Sequence, residues 1–179
     1  MELYEKTIKT EIIYKGKIIN LRKDRVELPD GRVSSREIVE HAGGVTIIAI
    51  NDDNEIILVE QYRKPADKIL LELPAGKLEK GEKTFDCAKR ELLEETGYSS
   101  NNFKKICSFY TTPGFSDEIL HLYIAKNISF SEQNPDSDEF INVVKIKVDE
   151  IHRYIVEGKI IDAKTILGLL FFLEREKYE

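Results

Sequence analysis

The sequence predicts an α/β fold behind an antiparallel β-rich N-terminal segment, and three observations carry that expectation. Turn signals at Lys15-Gly16, Pro29-Asp30-Gly31 and Asp52-Asp53-Asn54 separate stretches rich in Ile, Val and Tyr, the pattern of successive hairpins. After Leu73-Pro74-Ala75-Gly76 the apolar period changes, with Phe85, Ala88, Leu92 and Thr96 at helical spacing. Two more helical patterns then close the chain behind three further strand-like runs.

In chain order, strands are expected at residues 6–14, 17–28, 32–41, 45–51 and 55–62. Gly43-Gly44 interrupts the series between an alternating segment and the continuously apolar Val45–Ile50, which reads as passage into a buried central strand. This places a boundary near residue 42, with residues 1–42 as a β-rich segment and 43–179 as the main domain. The helix over 84–96 ends at Gly97, a residue suited to a left-handed C-cap. Strands follow at 103–110, 118–125 and 140–147, with the polar stretch Ser131–Asp138, carrying Pro135, as a loop between the last two. Helices are expected at 149–157 and 162–176, the second capped by Asp162 and burying Ile166, Leu169, Leu170 and Leu173.

Composition narrows the function. With 179 residues, 41% hydrophobic and 34% charged, the chain can bury an ordinary core and is not a disordered one. A net charge of −6 argues against nucleic acid as a partner. The apolar runs fall short of the ~20 residues that span a membrane. No basic and apolar leader opens the sequence, and Cys87 and Cys107 lack metal-ligand spacing, so a cytoplasmic protein with free thiols is expected. His41, His121 and His152 show no triad or ligand spacing and read as structural.

On the 84–96 helix, Glu91, Glu94 and Glu95 stand at i, i+3 and i+4 and share an arc turned away from Phe85, Leu92 and Thr96. Such a run is often a solvated face. Here, however, no Lys or Arg follows any of the three at i+4, and the last turn of a helix disfavours anions. A bound cation would remove both penalties, and carboxylates without His or Cys suit Mg2+ or Mn2+ held together with phosphate oxygens. Glu82, eight residues ahead of Arg90, is expected to pair with it and hold the Gly76–Gly81 loop against the helix.

These residues, Gly76-Lys-Leu-Glu-Lys-Gly-Glu82 and then Arg90-Glu91-Leu92-Leu93-Glu94-Glu95-Thr96-Gly97-Tyr98, resemble the Nudix box, G-x5-E-x7-R-E-U-x-E-E-x-G-U. Every fixed position matches, and Tyr98 replaces the usual aliphatic residue. Val59–Arg63, Glu72–Gly76 and Thr112-Pro-Gly-Phe115 extend the resemblance to ADP-ribose pyrophosphatases, as does Pro113, 16 residues beyond Gly97. The resemblance implies a Nudix α/β/α sandwich with a mixed central sheet and an N-terminal antiparallel sheet used for homodimerisation. It also implies Mg2+-dependent hydrolysis of ADP-ribose to AMP and ribose 5-phosphate. Other nucleoside diphosphate derivatives, such as nucleotide sugars and dinucleotides, are the alternative substrates, and a non-catalytic ADP-ribose sensor is the alternative of another class.

By the same resemblance Glu91, Glu94 and Glu95 are metal ligands, joined by the Ala75 carbonyl, while Glu79 reads equally as a solvated loop charge. The general base is expected from the Asp136-Ser-Asp138-Glu139 stretch. Glu139 matches best, with Asp138 or a box glutamate such as Glu95 as alternatives. Arg63 and Arg36 resemble substrate-binding arginines, Arg36 serving the partner subunit's site. Pro113 and Phe115 could wall the adenine or terminal ribose, and Glu118 stands as a further site-edge candidate.

Overall fold

The computed structural model describes residues 2–134 and 139–176. Two compact units emerge, one formed by the stretch through Gly43 with Phe109–Leu120, the other by Gly44–Ser108 with the chain from His121 onward.

In the first unit β1 (Lys6–Lys15), β2 (Ile19–Glu27) and β3 (Val33–His41) make an antiparallel sheet in that order. The predicted turn residues form its turns. Gly31 adopts φ +82°, and the turn closes with Leu28 N–H donating to the Arg32 carbonyl at 2.7 Å. β2 and β3 pair in unbroken register from Ile19 opposite His41 to Glu27 opposite Val33, whereas β1 slips at two irregularities. Every β1 position is exposed, and Ile8, Ile12, Ile13 and Tyr14 lie open on it. The Thr112–Ser116 turn docks on β3: Val39 N–H donates to the Phe115 carbonyl at 2.8 Å and Asp117 N–H to the Val39 carbonyl at 3.1 Å.

The second unit is the α/β/α layer structure. Its sheet uses β4 (Gly44–Ile50), β5 (Glu55–Arg63), β6 (Lys68–Glu72), β7 (Ala75–Lys77), β9 (Asn102–Tyr110), β10 (Ile119–Lys126) and β12 (Ile141–Lys147). The order is β12-β5-β4-β10-β9, with β6 paired to β5 and β7 to β4. A two-residue β8 (Tyr98–Ser99) pairs with β11 (Ser129–Phe130). Helix α1 (Thr84–Thr96) covers one sheet face, packing Cys87, Ala88 and Leu92 on Val45, Ile47, Ala49 and Ile57. Helix α3 (Ala163–Glu176) covers the other, where Gly168 approaches Leu73, Leu122 and Ile48. The alternation of β4 thus feeds two cores, as expected of a continuously apolar central strand.

Several expectations change. The helix expected at 149–157 is a 3-10 turn at Val148–Glu150 followed by α2 (Ile151–Val156). Between residues 63 and 84, where no strand is expected and Gly76–Gly81 reads as a loop, the chain forms β6 and β7. β6 follows a tight turn in which Asp67 takes φ +53°. β7 is a strand because β4 offers partners, Val45 opposite Gly76 and Thr46 opposite Ala75, and no propensity of Ala-Gly-Lys announces it. Phe85 does not join the α1 core stripe and is exposed, edge-on to Phe103 at 5.9 Å between ring centres. Asp162 caps α3 as expected, accepting from Thr165 N–H at 3.0 Å.

Candidate active site

Gly76 opens the site. A Cβ there would lie 1.8 Å from Glu91 Cδ, so the absence of a side chain is what lets the Glu91 carboxylate lie against β7. From this strand the chain runs through the Glu79–Glu82 turn, where Glu79 N–H donates to Glu82 Oε2 at 3.0 Å. Glu79 itself is exposed, in line with a solvated charge.

Arg90 sits between the loop and the helix. Its Nε and Nη2 donate to the two Glu82 oxygens at 2.9 and 3.0 Å, the expected pairing. Its Nη1 also donates to Glu91 Oε1 at 2.7 Å and to Glu94 Oε2 at 2.9 Å. The expectation that nothing in the chain offsets the acidic helix is therefore corrected. No cation follows the glutamates at i+4, but Arg90 precedes Glu94 by one turn and reaches forward to it and to Glu91. The Arg90 guanidinium holds the Glu82 carboxyl down at about 2. Cys87, beside it, is inert: burial, then the Glu82 and Glu91 charges, push its thiol up to about 12.

The three glutamates do not share one solvated face. Glu94 is half-exposed, Glu91 less so, and Glu95 is buried at 3% exposure, because residue 95 borders the Leu92 stripe and the Ala75 strand closes over it. Glu95 Oε2 accepts from Ala75 N–H at 2.9 Å. Burial pushes the Glu91 carboxyl up to about 7, against Arg90 and with help from Glu94 and Glu139. Burial likewise pushes Glu95 up to about 8, against the Ala75 hydrogen bond and with help from Glu91 and Glu139. Glu139 therefore stands within electrostatic reach of both. Asp138, its competitor as base, lies outside the described residues.

Arg63 is committed to a carboxylate of its own unit. Its Nε and Nη2 fork onto Glu72 at 2.8 and 2.9 Å, and Lys164 Nζ also donates to Glu72. Burial alone would raise the Glu72 carboxyl, and the Arg63 and Lys164 interactions outweigh it, leaving it below its ordinary range. Lys164 also reaches Asp162 at 3.0 Å, and Thr165 Oγ1 accepts from Leu73 N–H at 2.8 Å. The start of α3 thus holds the Glu72–Ala75 segment that supports Glu95. Sequence reasoning missed Glu72 and Lys164; an acid inside an apolar strand was the available signal.

Arg36, Pro113, Phe115 and Glu118 belong to the first unit. Arg36 forks onto Glu5 at 2.9 and 2.5 Å and donates to Ser34 Oγ at 3.1 Å. Glu118 accepts from Thr111 Oγ1 at 2.6 Å and lies 3.3 Å from His41 Nδ1. Phe115 and Pro113 are exposed in the turn docked on β3.

Among the described residues no three acidic, His or Cys side chains lie close enough together to hold a metal ion as they stand. By type the donors nonetheless fit a hard divalent cation: carboxylates and backbone oxygen without thiolate or imidazole, with the Glu91 carboxylate seated in the space that a side chain at Gly76 would take. No helix among the described residues is long and apolar enough to cross a membrane.

Comparison with known proteins follows this geometry. A NUDIX domain model matches residues 40–166, and a model of the nucleoside diphosphate sugar hydrolase N-terminal domain matches residues 5–39. The chain is 49% identical over 174 residues to the methanol dehydrogenase activator of Bacillus methanolicus, covering 96% of this chain and 94% of that one. It is 44% identical over 176 residues to the ADP-ribose pyrophosphatase of Bacillus subtilis, covering 97% and 95%. The crystal structure of an ADP compounds hydrolase superposes with a TM-score of 0.88 at 18% identity, covering 99% of this chain and 97% of that one, a likeness of fold.

Proposed function

This chain belongs to the Nudix family, and on that premise we propose that it hydrolyses the pyrophosphate linkage of ADP-ribose to AMP and ribose 5-phosphate, with Mg2+ or Mn2+. One observation carries the reading: the Glu91 carboxylate lies against Gly76 of β7 and the buried Glu95 carboxylate on the Ala75 N–H, next to Glu94 on the same helix, and burial raises both carboxyls. Carboxylates of one helix held where ionisation is costly are suited to a divalent cation and a phosphate chain. Glu91, Glu94, Glu95 and the Ala75 carbonyl would hold the metal, which when bound supplies Lewis-acid stabilisation of phosphate oxygens.

The chain's own residues do the rest. Glu139 takes the proton of the attacking water, its carboxylate kept close to the acidic helix by β12. Ala75 N–H fixes the orientation of Glu95, and Arg90 ties Glu91 and Glu94 to the Glu82 loop. Arg63, held by Glu72, supplies fixed positive charge felt at Glu95 and is assigned to substrate phosphates. Arg36, Pro113, Phe115 and Glu118 are assigned to substrate binding on the resemblance. We further propose a homodimer through the N-terminal sheet, because β1 is an edge strand whose Ile8, Ile12, Ile13 and Tyr14 lie exposed.

The N-terminal domain match favours nucleoside diphosphate sugars as the second substrate reading. The test is a product assay on ADP-ribose, nucleotide sugars and dinucleotides with Mg2+, with and without chelator. Chelator-sensitive AMP release, fastest from ADP-ribose, is expected. Faster turnover of a nucleotide sugar would transfer the chemistry to that substrate, and tight ADP-ribose binding without turnover would overturn the hydrolase reading.

A further inference from the structure

The last carbonyls of a helix need partners beyond its own turns; at α1 Gly97 N–H serves Leu93, and those of Glu94, Glu95 and Gly97 are met by one short segment, residues 131–134. Ser131 N–H donates to the Gly97 carbonyl at 2.8 Å and Asn134 N–H to the Glu94 carbonyl at 3.1 Å. Between them, the Gln133 side-chain amide donates to the Glu95 carbonyl at 2.6 Å and to the Ile141 carbonyl at 3.3 Å. Gly97 makes the approach possible: besides its φ of +73°, a Cβ there would lie 2.9 Å from Gln133 N and 2.9 Å from the Phe130 ring.

The two carbonyls joined by this one amide belong to the two halves of the chemistry. Glu95 is the most buried of the helix glutamates, and Ile141 begins β12 two residues after Glu139. Glu95 is also held from its side-chain end by Ala75 N–H, so its backbone and carboxylate are both fixed. The segment that leads towards Glu139 is therefore fastened to α1 rather than simply running past it.

We propose that Gln133 is a positioning residue of the hydrolytic reaction, its amide setting the separation between Glu95 on α1 and Glu139 ahead of β12; this rests on the assignment of Glu139 as base. The Gln133 amide is committed to two backbone carbonyls and acts by geometry.

The test replaces Gln133 by Met, which keeps length and shape but donates no hydrogen bond, alone and together with Glu139→Gln. ADP-ribose turnover is followed at saturating Mg2+. The single variant should lose about tenfold in kcat with KM within about twofold, the split expected when alignment rather than binding is lost. Gln133→Lys, which again offers donors to both carbonyls, should recover most of that loss. In the Glu139→Gln background Gln133→Met should cost less than about twofold, because the group it positions is already disabled. A wild-type kcat for Gln133→Met, or an equal tenfold loss in both backgrounds, would overturn the proposal while leaving Glu139 as base. A wild-type rate for Glu139→Gln alone would remove the base assignment and the proposal with it. Should Gln133→Met not fold, Gln133→Asn, one methylene too short to span both carbonyls, carries the same comparison.

Discussion

Replacing Glu95 by Gln should stabilise the metal-free protein near neutral pH while removing most of its turnover. Glu95 is 3% exposed, and burial, then the charges of Glu91 and Glu139, lift its carboxyl from 4.5 to about 8 against the Ala75 hydrogen bond. The folded chain keeps a proton that the unfolded chain releases. Glu95 therefore contributes fully below about pH 4.5, and its contribution is lost as pH rises towards 8. At about 1.4 kcal/mol per pH unit, the cost at pH 7.5 is roughly 4 kcal/mol. The Gln carbonyl can keep the Ala75 hydrogen bond, and its new amide hydrogens, lacking a built partner, return about 1–2 kcal/mol of that. A net gain of roughly 2 kcal/mol corresponds to a Tm rise of about 4–8 °C at this chain length. Thermal unfolding followed by circular dichroism in chelator, from pH 5 to 8, reads it directly: the gain should be largest at pH 8 and vanish or reverse at pH 5. Turnover should fall at least ~100-fold, since losing a group that only orients a ligand already costs ~10–100-fold. A Glu95→Gln variant that melts at or below the wild type at pH 8 would refute the reasoning.

Gly76→Ala meets only the far end of the Glu91 side chain, so the protein should fold with Tm within a few degrees. Its kcat should nonetheless fall about tenfold or more, with more Mg2+ needed for half-maximal rate, as a displaced ligand requires. Lys164→Ala leaves buried Glu72 with Arg63 alone and should cost about 2–4 kcal/mol in urea unfolding at pH 7. Because the Glu72 carboxyl is held below its ordinary value, that stability is present above about pH 4.5 and is lost as pH falls through the lowered value, where the two proteins should converge. Ile12→Glu, on the exposed β1, should turn a dimer into a monomer in sedimentation velocity; an unchanged mass would remove the N-terminal sheet as the interface.

Sequence made the long elements and the family legible because their signals are local. Turn glycines, the α1 period and the Asp162 cap each declare themselves within a few residues, and the structure has them in place. What stayed hidden is set by partners distant in sequence. Ala-Gly-Lys becomes β7 because β4 lies beside it, and Glu95 is buried because that strand covers it. Glu72 joins Arg63, nine residues back, to Lys164, 92 residues on.

The same division explains why charge counting along α1 gave an incomplete account of its glutamates. Glutamates 91 and 94 do find a cation, in Arg90, so their spacing alone does not demand a metal. In the fold Arg90 has already committed two donors to Glu82, while Glu95 accepts from the Ala75 amide and feels the Arg63 charge against those of Glu91 and Glu139. A helix in isolation would relieve these charges into water; packed between β7 and β12 it cannot, and the raised Glu91 and Glu95 carboxyls record that constraint. The fold therefore makes ionisation near α1 costly, a cost that a divalent cation with its phosphate ligand is suited to offset. Stability given up by the metal-free chain and binding energy gained by the loaded one are two readings of the same buried carboxylates.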